Sequence, residues 1–403
     1  MAQSVLDPPS HSHAHGGPVA PASARTRGVL AAALIPAMLA TLAGLFLLWP
    51  DGGAVPERIP AVVEGATTVD ATVLEAPPDG ASVRVRLAGG EETTMASPGP
   101  SVPLNPGDRI VAVDISTVSP MSPDPLVFKD HQRKVPVGWL AAAYAVVVLA
   151  VARWRGLAAL AGLGIAFAVF LGFTMPALLT GESALGVALV TSSLVMFVTL
   201  YLAHGLSART SAALLGTLLG LALTAGIGVW AAGATYLGAA DHDAQFLLTE
   251  APLTDLRGVA LCGLVLAGMG VLNDVTITQA SAVWELREVA PGAPRHVLFA
   301  RAMRIGRDHI ASTVYTIAFA YVGAALPLLM MVSLVDQSPV LALTSGEIAE
   351  EVVRTLVGSI GLVLAIPITT AIAALAVPGP AREPAPEPAG PPARTPVPGP
   401  PGA

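Results

Sequence analysis

Charge is what this chain has least of. Only 12% of its residues are Asp, Glu, Lys or Arg, against roughly a quarter in a soluble globular protein. That deficit, with 53% hydrophobic residues over 403 positions, puts the chain in the bilayer class. Its net charge of -7 argues against a nucleic-acid partner. Cysteine is nearly absent. The single Cys262 lies inside an apolar run, so neither an intramolecular disulfide nor a cysteine-based metal cluster is expected. Lysine is scarce, two residues against nineteen arginines. With abundant Ala, Gly and Pro, that bias points to a GC-rich bacterial genome. No P-loop, Rossmann glycine pattern, haem motif or zinc motif is present, so neither ATP-driven action by this chain alone nor a cofactor is expected.

What the chain does have is long apolar runs. A helix needs about 20 such residues to cross the hydrocarbon core. Eight candidates run over 28–48, 136–152, 156–178, 183–203, 210–233, 257–276, 310–333 and 354–376. The second is short, with Trp139 and Trp154 bracketing it as interfacial anchors. Arg25, Arg27, Arg153, Arg155, Arg209, Arg287, Arg295, Arg301, Arg304 and Arg307 all fall on one side, which the positive-inside rule makes cytoplasmic. The opposite short loops hold Arg257 and Arg354. Both termini are therefore expected in the cytoplasm of a bacterium, with the chain in its inner membrane. A signal peptide is the alternative for the first run. That run exceeds a typical h-region, and no small-x-small site follows Trp49.

Between the first two runs, residues 51–135 are too many for a connector. Val69–Leu74 and Ser82–Leu87 alternate apolar with polar residues, and Asp108–Ile115 reads as another strand. Pro78-Asp79-Gly80, Gly89-Gly90 and Pro106-Gly107-Asp108 are turn signals. Arg84 and Arg86 share a strand face, read as solvated. The predicted fold is thus a polytopic α-helical membrane protein of about eight transmembrane helices. A small extracytoplasmic all-β domain, an OB-like barrel or a sandwich, lies between helices 1 and 2. Its parts are a disordered cytoplasmic tail (1–27), helix 1 (28–48), the β domain (51–135), a seven-helix domain (136–376) and a disordered Pro-rich tail (377–403). His11, His13 and His15 sit in the first tail; a disordered segment without metal is the expected reading.

Four polar features interrupt the apolar pattern. Asn273-Asp274 with Thr276, Thr278, Gln279 and Ser281 ends the sixth run. An ionised Asp274 at that depth costs several kcal/mol unless paired, solvated or protonated. The competing reading is a helix cap, and Gly268 and Gly270 before it permit close packing or a break. Asp308-His309 with Ser312, Thr313, Tyr315 and Thr316 opens the seventh run. His309 suits proton handling. Otherwise Asp308 caps the helix and the hydroxyls bond back to backbone. Glu351 and Arg354 are spaced to pair at the outer surface, followed by Gly358, Gly361, Pro367, Thr369 and Thr370. Asp241-His242-Asp243 with Gln245 reads as a solvated loop.

These motifs resemble the YibE/F-like family of bacterial membrane proteins. The carriers are Gly270–Thr276 with Gln279, Ser281 and Glu285; Asp308–Thr313; Phe319–Gly323 with Leu326-Pro327; and Glu351–Leu362. The resemblance covers about residues 60–376. It implies this topology and these residues but no substrate. Where the family often carries Asp, this chain has Asn273, which leaves Asp274 as the single carboxylate.

The leading expectation is a permease-like protein moving a small solute or ion, with Asp274, His309 and Asn273 as coupling candidates. Thr276, Gln279, Ser281, Asp308, Ser312, Thr313, Glu351 and Arg354 would support them. The rival is a membrane scaffold that recruits a protein partner through the β domain. No catalytic or metal-ligating residue is expected. A Ser312–His309 hydrolase is disfavoured, because Ser and His three apart on one helix rarely reach nucleophile–base geometry, and no G-x-S-x-G elbow exists.

Overall fold

Alternating apolar residues build the β unit. In the computed structural model, which describes residues 22–53, 55–77, 82–238, 242–344 and 346–379, the chain divides into Pro56–Leu160 and the joined segments Met1–Val55 and Ala161–Ala403. The first unit holds β1 (Thr67–Glu75), β2 (Val83–Leu87), β3 (Glu92–Ala96), β4 (Arg109–Asp114) and β5 (Leu126–His131). They close a barrel in the order β1-β2-β3-β5-β4. Of the two expected forms, the barrel is the one observed. Every second residue points inward: Ala71 and Val73, Val83 and Val85, Ile110 and Ala112, joined by Met95 and Leu126. Gly90 and Gly107 sit at positive φ, 90° and 95°, in the predicted turns. Arg84 pairs with Glu75 at 2.8 Å and Arg86 with Glu92 at 2.7 Å on the exposed face. Such pairs contribute at most about 1 kcal/mol each. The Pro78-Asp79-Gly80 turn, the N-terminal histidines and most of the C-terminal tail lie outside the described residues.

The helices are α1 (Ala24–Leu47), α2 (Lys134–Val169), α3 (Met175–Leu179), α4 (Ala184–His204), α5 (Ala208–Ala234) and α6 (His242–Glu250). They continue with α7 (Leu256–Val289), α8 (Arg295–Ala324), α9 (Leu326–Ser333), α10 (Pro339–Leu343) and α11 (Gly346–Ala376). Serines start several of them. Ser23 and Ser207 accept hydrogen bonds from the N–H groups of Thr26 and Thr210, each at 3.1 Å. One π turn, Phe170–Thr174, joins α2 to α3.

Among the described residues, six helical segments are long and apolar enough to cross a membrane: α1, the run Lys134–Leu179, α4, α5, α7 and α11. Two bends separate that count from the expected eight. Arg153 breaks α2 with φ 54° and ψ -129°. A Cβ on Gly156 would lie 2.5 Å from the Val148 carbonyl oxygen, whereas residues that far apart on a straight helix are about 12 Å apart. The chain therefore reverses locally at Arg153, where the expected runs 136–152 and 156–178 were separated. The expected straight run 310–333 is instead bent by 65° between α8 and α9. Pro327 stands in the first turn of α9, where it removes an N–H and crowds the turn before it.

In the helical unit α5 packs on both α7 and α11. One ridge of α5 permits it: Gly216, Gly220, Thr224 and Gly228, four apart and all buried, continued by Ala212 and Ala232. A Cβ on Gly220 would meet Leu272 at 3.0 Å and Ala365 at 3.1 Å; one on Gly228 would meet Leu261 at 3.0 Å. Gly361 of α11 receives Thr224, and Gly216 receives Thr369. Small residues substitute here for a hydrophobic drive that lipid does not supply between helices. Gly216→Leu is expected to destabilise the fold by about 1–3 kcal/mol or more through overpacking. Gly226→Leu, where a Cβ meets nothing within 4 Å, should change stability by no more than about 0.5 kcal/mol. Reversible unfolding in mixed micelles measures both.

Candidate functional site

The site is built on α7. This helix runs unbroken for 34 residues, so Asp274 lies inside it, about 27 Å from its start. The cap reading of Asp274 is thereby overturned: the helix neither ends nor begins there. Gly270 causes no break, and Gly268 only admits the Thr224 methyl, which a Cβ there would meet at 3.4 Å. Successive residues then face different surroundings. Asp274 and Thr278 are exposed, Asn273 and Ser281 are half-buried, and Thr276 and Gln279 are buried. Asp274 has no hydrogen bond or ion pair among the described residues.

Two of these side chains hold helices together. The Thr276 and Thr217 hydroxyls share a buried hydrogen bond of 2.6 Å between α7 and α5. Thr276 also lies 3.2 Å from the Asn273 carbonyl, and Thr217 lies 3.0 Å from that of Ala213. Each hydroxyl has one proton, so the shared bond is made by whichever one does not donate to its own helix. Gln279 donates from Nε2 to the Ala302 carbonyl at 2.8 Å, tying α7 to α8. Gly306 leaves room for it: a Cβ there would stand 3.1 Å from that nitrogen.

The helix α8 begins at Arg295, so Asp308 is interior and exposed rather than a cap. The hydroxyls follow the bland expectation: Thr313 bonds back to the His309 carbonyl at 2.9 Å and Thr316 to that of Ser312 at 3.0 Å. Ser312 is exposed, while His309 is half-buried. The Nε2 of His309 and the Oδ1 of Asn273 are both enclosed without a partner.

The Gln279–Ala302 bond sets the level of the two helices. Val271 and Val275 join Ile310, Ile317 and Tyr321 in one cluster with Leu362 and Ile366 of α11, so α7 and α8 run antiparallel there. Residue 273 lies about 9 Å before Gln279 and residue 309 about 10 Å after Ala302 at 1.5 Å per residue. Asn273, Asp274 and His309 therefore share one depth, the first and last with unpartnered polar atoms. Glu351 and Arg354 pair as expected, at 3.1 Å and partly buried. They belong to another place, however. Glu351 lines a cavity of about 280 Å³ with Tyr321, which is about 18 Å beyond His309 along α8.

Sequence reasoning missed three residues. Arg287, counted only among the arginines of the cytoplasmic side, is 4% exposed. Its Nη1 donates to the carbonyls of Pro291 and Ala293 at 2.9 and 2.7 Å, shaping the α7–α8 turn. Glu350 accepts the Gly238 N–H at 2.7 Å, holding the end of α5 to α11. Thr217 carried a usable signal, since it sits beside the glycine ridge. Asp241 and the side chains of His242, Asp243 and Gln245 lie outside the described residues. Near Pro367, Thr370 donates to the Ile366 carbonyl at 2.7 Å, while the buried Thr369 hydroxyl has no partner.

Among the described residues, six helices of membrane-crossing length and composition point to an α-helical membrane protein, with a small barrel in the same chain. Residues 140–379 match the family described as YibE/F-like protein, and the chain belongs to that family. The match starts after the barrel, later than the resemblance expected from about residue 60. No curated protein and no solved structure matches the chain.

A double-mutant cycle of Thr217→Val and Thr276→Val should return a coupling near 0.6 kcal/mol and no more than about 1.7 kcal/mol. Thermal unfolding in micelles reads it, and strict additivity would mean that the hydroxyls do not interact.

Proposed function

We propose that the protein is a permease-like carrier of a small solute or ion in a bacterial inner membrane. In this reading the chain crosses eight times, with the two halves of Lys134–Leu179 counted separately and α8–α9 forming one bent span. Both termini are cytoplasmic and the barrel stands outside. Asp274 and His309 bind and release the coupled proton or cation, and Asn273 lines their level.

The observation that carries the reading is the direction Asp274 takes. It stands on an exposed face of α7, away from the α5 and α11 packing. A carboxylate facing acyl chains costs about 2.5–3.5 kcal/mol or more, so water or a bound solute serves that face. His309, at the same depth, has an enclosed ring nitrogen that no protein group satisfies. The α8–α9 bend adds a discontinuous helix of the kind secondary transporters place near their sites.

The test is complementation in a strain whose growth depends on this chain, at matched expression. Asp274→Asn and His309→Ala are each expected to lose activity by about 5- to 150-fold, the span of a coupling free energy of about 1–3 kcal/mol. Deletion of residues 57–134 should leave a measurable part of it. Full complementation by both point variants, with loss on deletion of the barrel, would replace this reading with that of a scaffold acting through the barrel.

A further inference from the structure

A second feature lies apart from Asp274 and His309. A slot of about 660 Å³ opens between α1, α4 and the start of α5, with Trp284 of α7 at its wall. Its two ends differ. One end is lined by Arg27 of α1 and by Arg209 and Ser207, the latter the N-cap of α5. Among the described residues, neither arginine has an ion-pair partner and no carboxylate lines the slot. Tyr201 and Ser211, hydrogen-bonded to each other at 3.0 Å, also line it, and an apolar wall runs on from there: Leu30, Leu34 and Met38 of α1 with Phe197 of α4.

The dimensions fit one kind of ligand. From Arg27 to Met38 α1 rises about 16 Å, close to the depth of one leaflet's share of a hydrocarbon core of about 30 Å. Two unpaired guanidinium groups suit a phosphodiester, which they can bind through forked N–H donors. The first N–H groups of α5 lie beside them, at a helix end that favours an anion. A free phosphate would leave the apolar wall unused, and a zwitterionic lipid would bring the cation of its own headgroup up beside both arginines.

We propose that this slot is a binding site for an anionic phospholipid of the surrounding leaflet, its phosphate between Arg27 and Arg209 and one acyl chain along α1. The site is independent of the transport reading. It makes α1, which otherwise packs loosely, a lipid-clamped element of the bundle.

Native mass spectrometry of the purified full chain tests it. The probes are phosphatidylglycerol, phosphatidylcholine with the same acyl chains, and inorganic phosphate. The intact chain should retain phosphatidylglycerol roughly 30-fold better than phosphatidylcholine, about fivefold for each arginine, and inorganic phosphate should not displace it. Arg27→Gln with Arg209→Gln should remove the preference. Ile35→Trp, which fills the exposed apolar part of the slot, should lower retention with both arginines in place. Elution volume and helicity confirm that each variant is folded. Equal retention of the two lipids, an unchanged preference in the double variant, or displacement by phosphate overturns the proposal. So does increased retention on deletion of residues 1–20, which would make the chain's own N-terminal segment the occupant.

Discussion

Close approach of α5 to α7 and α11 is the constraint on which the helical unit depends. Within a bilayer, apolar side chains gain little by leaving lipid for one another, so packing quality and buried hydrogen bonds decide which helices associate. Here three glycines and a threonine on one ridge of α5 bring α7 and α11 to within contact of its backbone. The Thr217–Thr276 bond fixes rotation and register at the same place. Leu264, Leu272 and Ala365 belong to the same buried apolar cluster.

Fixing the inner face of α7 determines its outer one. With Thr276 held against α5 and Gln279 against α8, helical geometry turns Asp274 and Thr278 away from the bundle. Asn273 and His309 fall between these two regimes, half-buried and with polar atoms that no neighbour satisfies. Enclosed unpartnered groups are costly, and on the proposed reading a ligand or a moving proton repays that cost here. The same helices thus combine a rigid seam with a polar edge.

The legible parts of the sequence were those in which one physical rule acts alone. Alternation revealed β1, β2 and β4, because each has one face in the barrel. It missed β3 and β5, where Met95 and Leu126 are the only fully buried residues and the other positions mix polar with apolar side chains such as Val127, which is exposed, and Phe128. Hydropathy located the spans, but it is blind to direction, so the reversal at Arg153 and the bend at Ala325 appeared only in three dimensions. Asp274 and Asp308 were weighed as caps because capping is their commonest structural use. Helix continuity, set by tertiary packing, ruled that out at both. Arg287 was counted only for its side of the membrane, since composition cannot say that a five-residue turn will fold its carbonyls onto it. Of the candidate site, the residue choice on α7 and α8 was readable, whereas the separation of Glu351 and Arg354 from it was not.

The central claim is that the outer face of α7 at Asp274 meets water rather than acyl chains. Thiol accessibility measures this directly. In a Cys262→Ala background, Asp274→Cys should react in intact membranes with a membrane-impermeant maleimide far faster than Leu219→Cys, on the exposed apolar face of α5. Equal, negligible labelling at the two positions would place the carboxylate in lipid and contradict the claim.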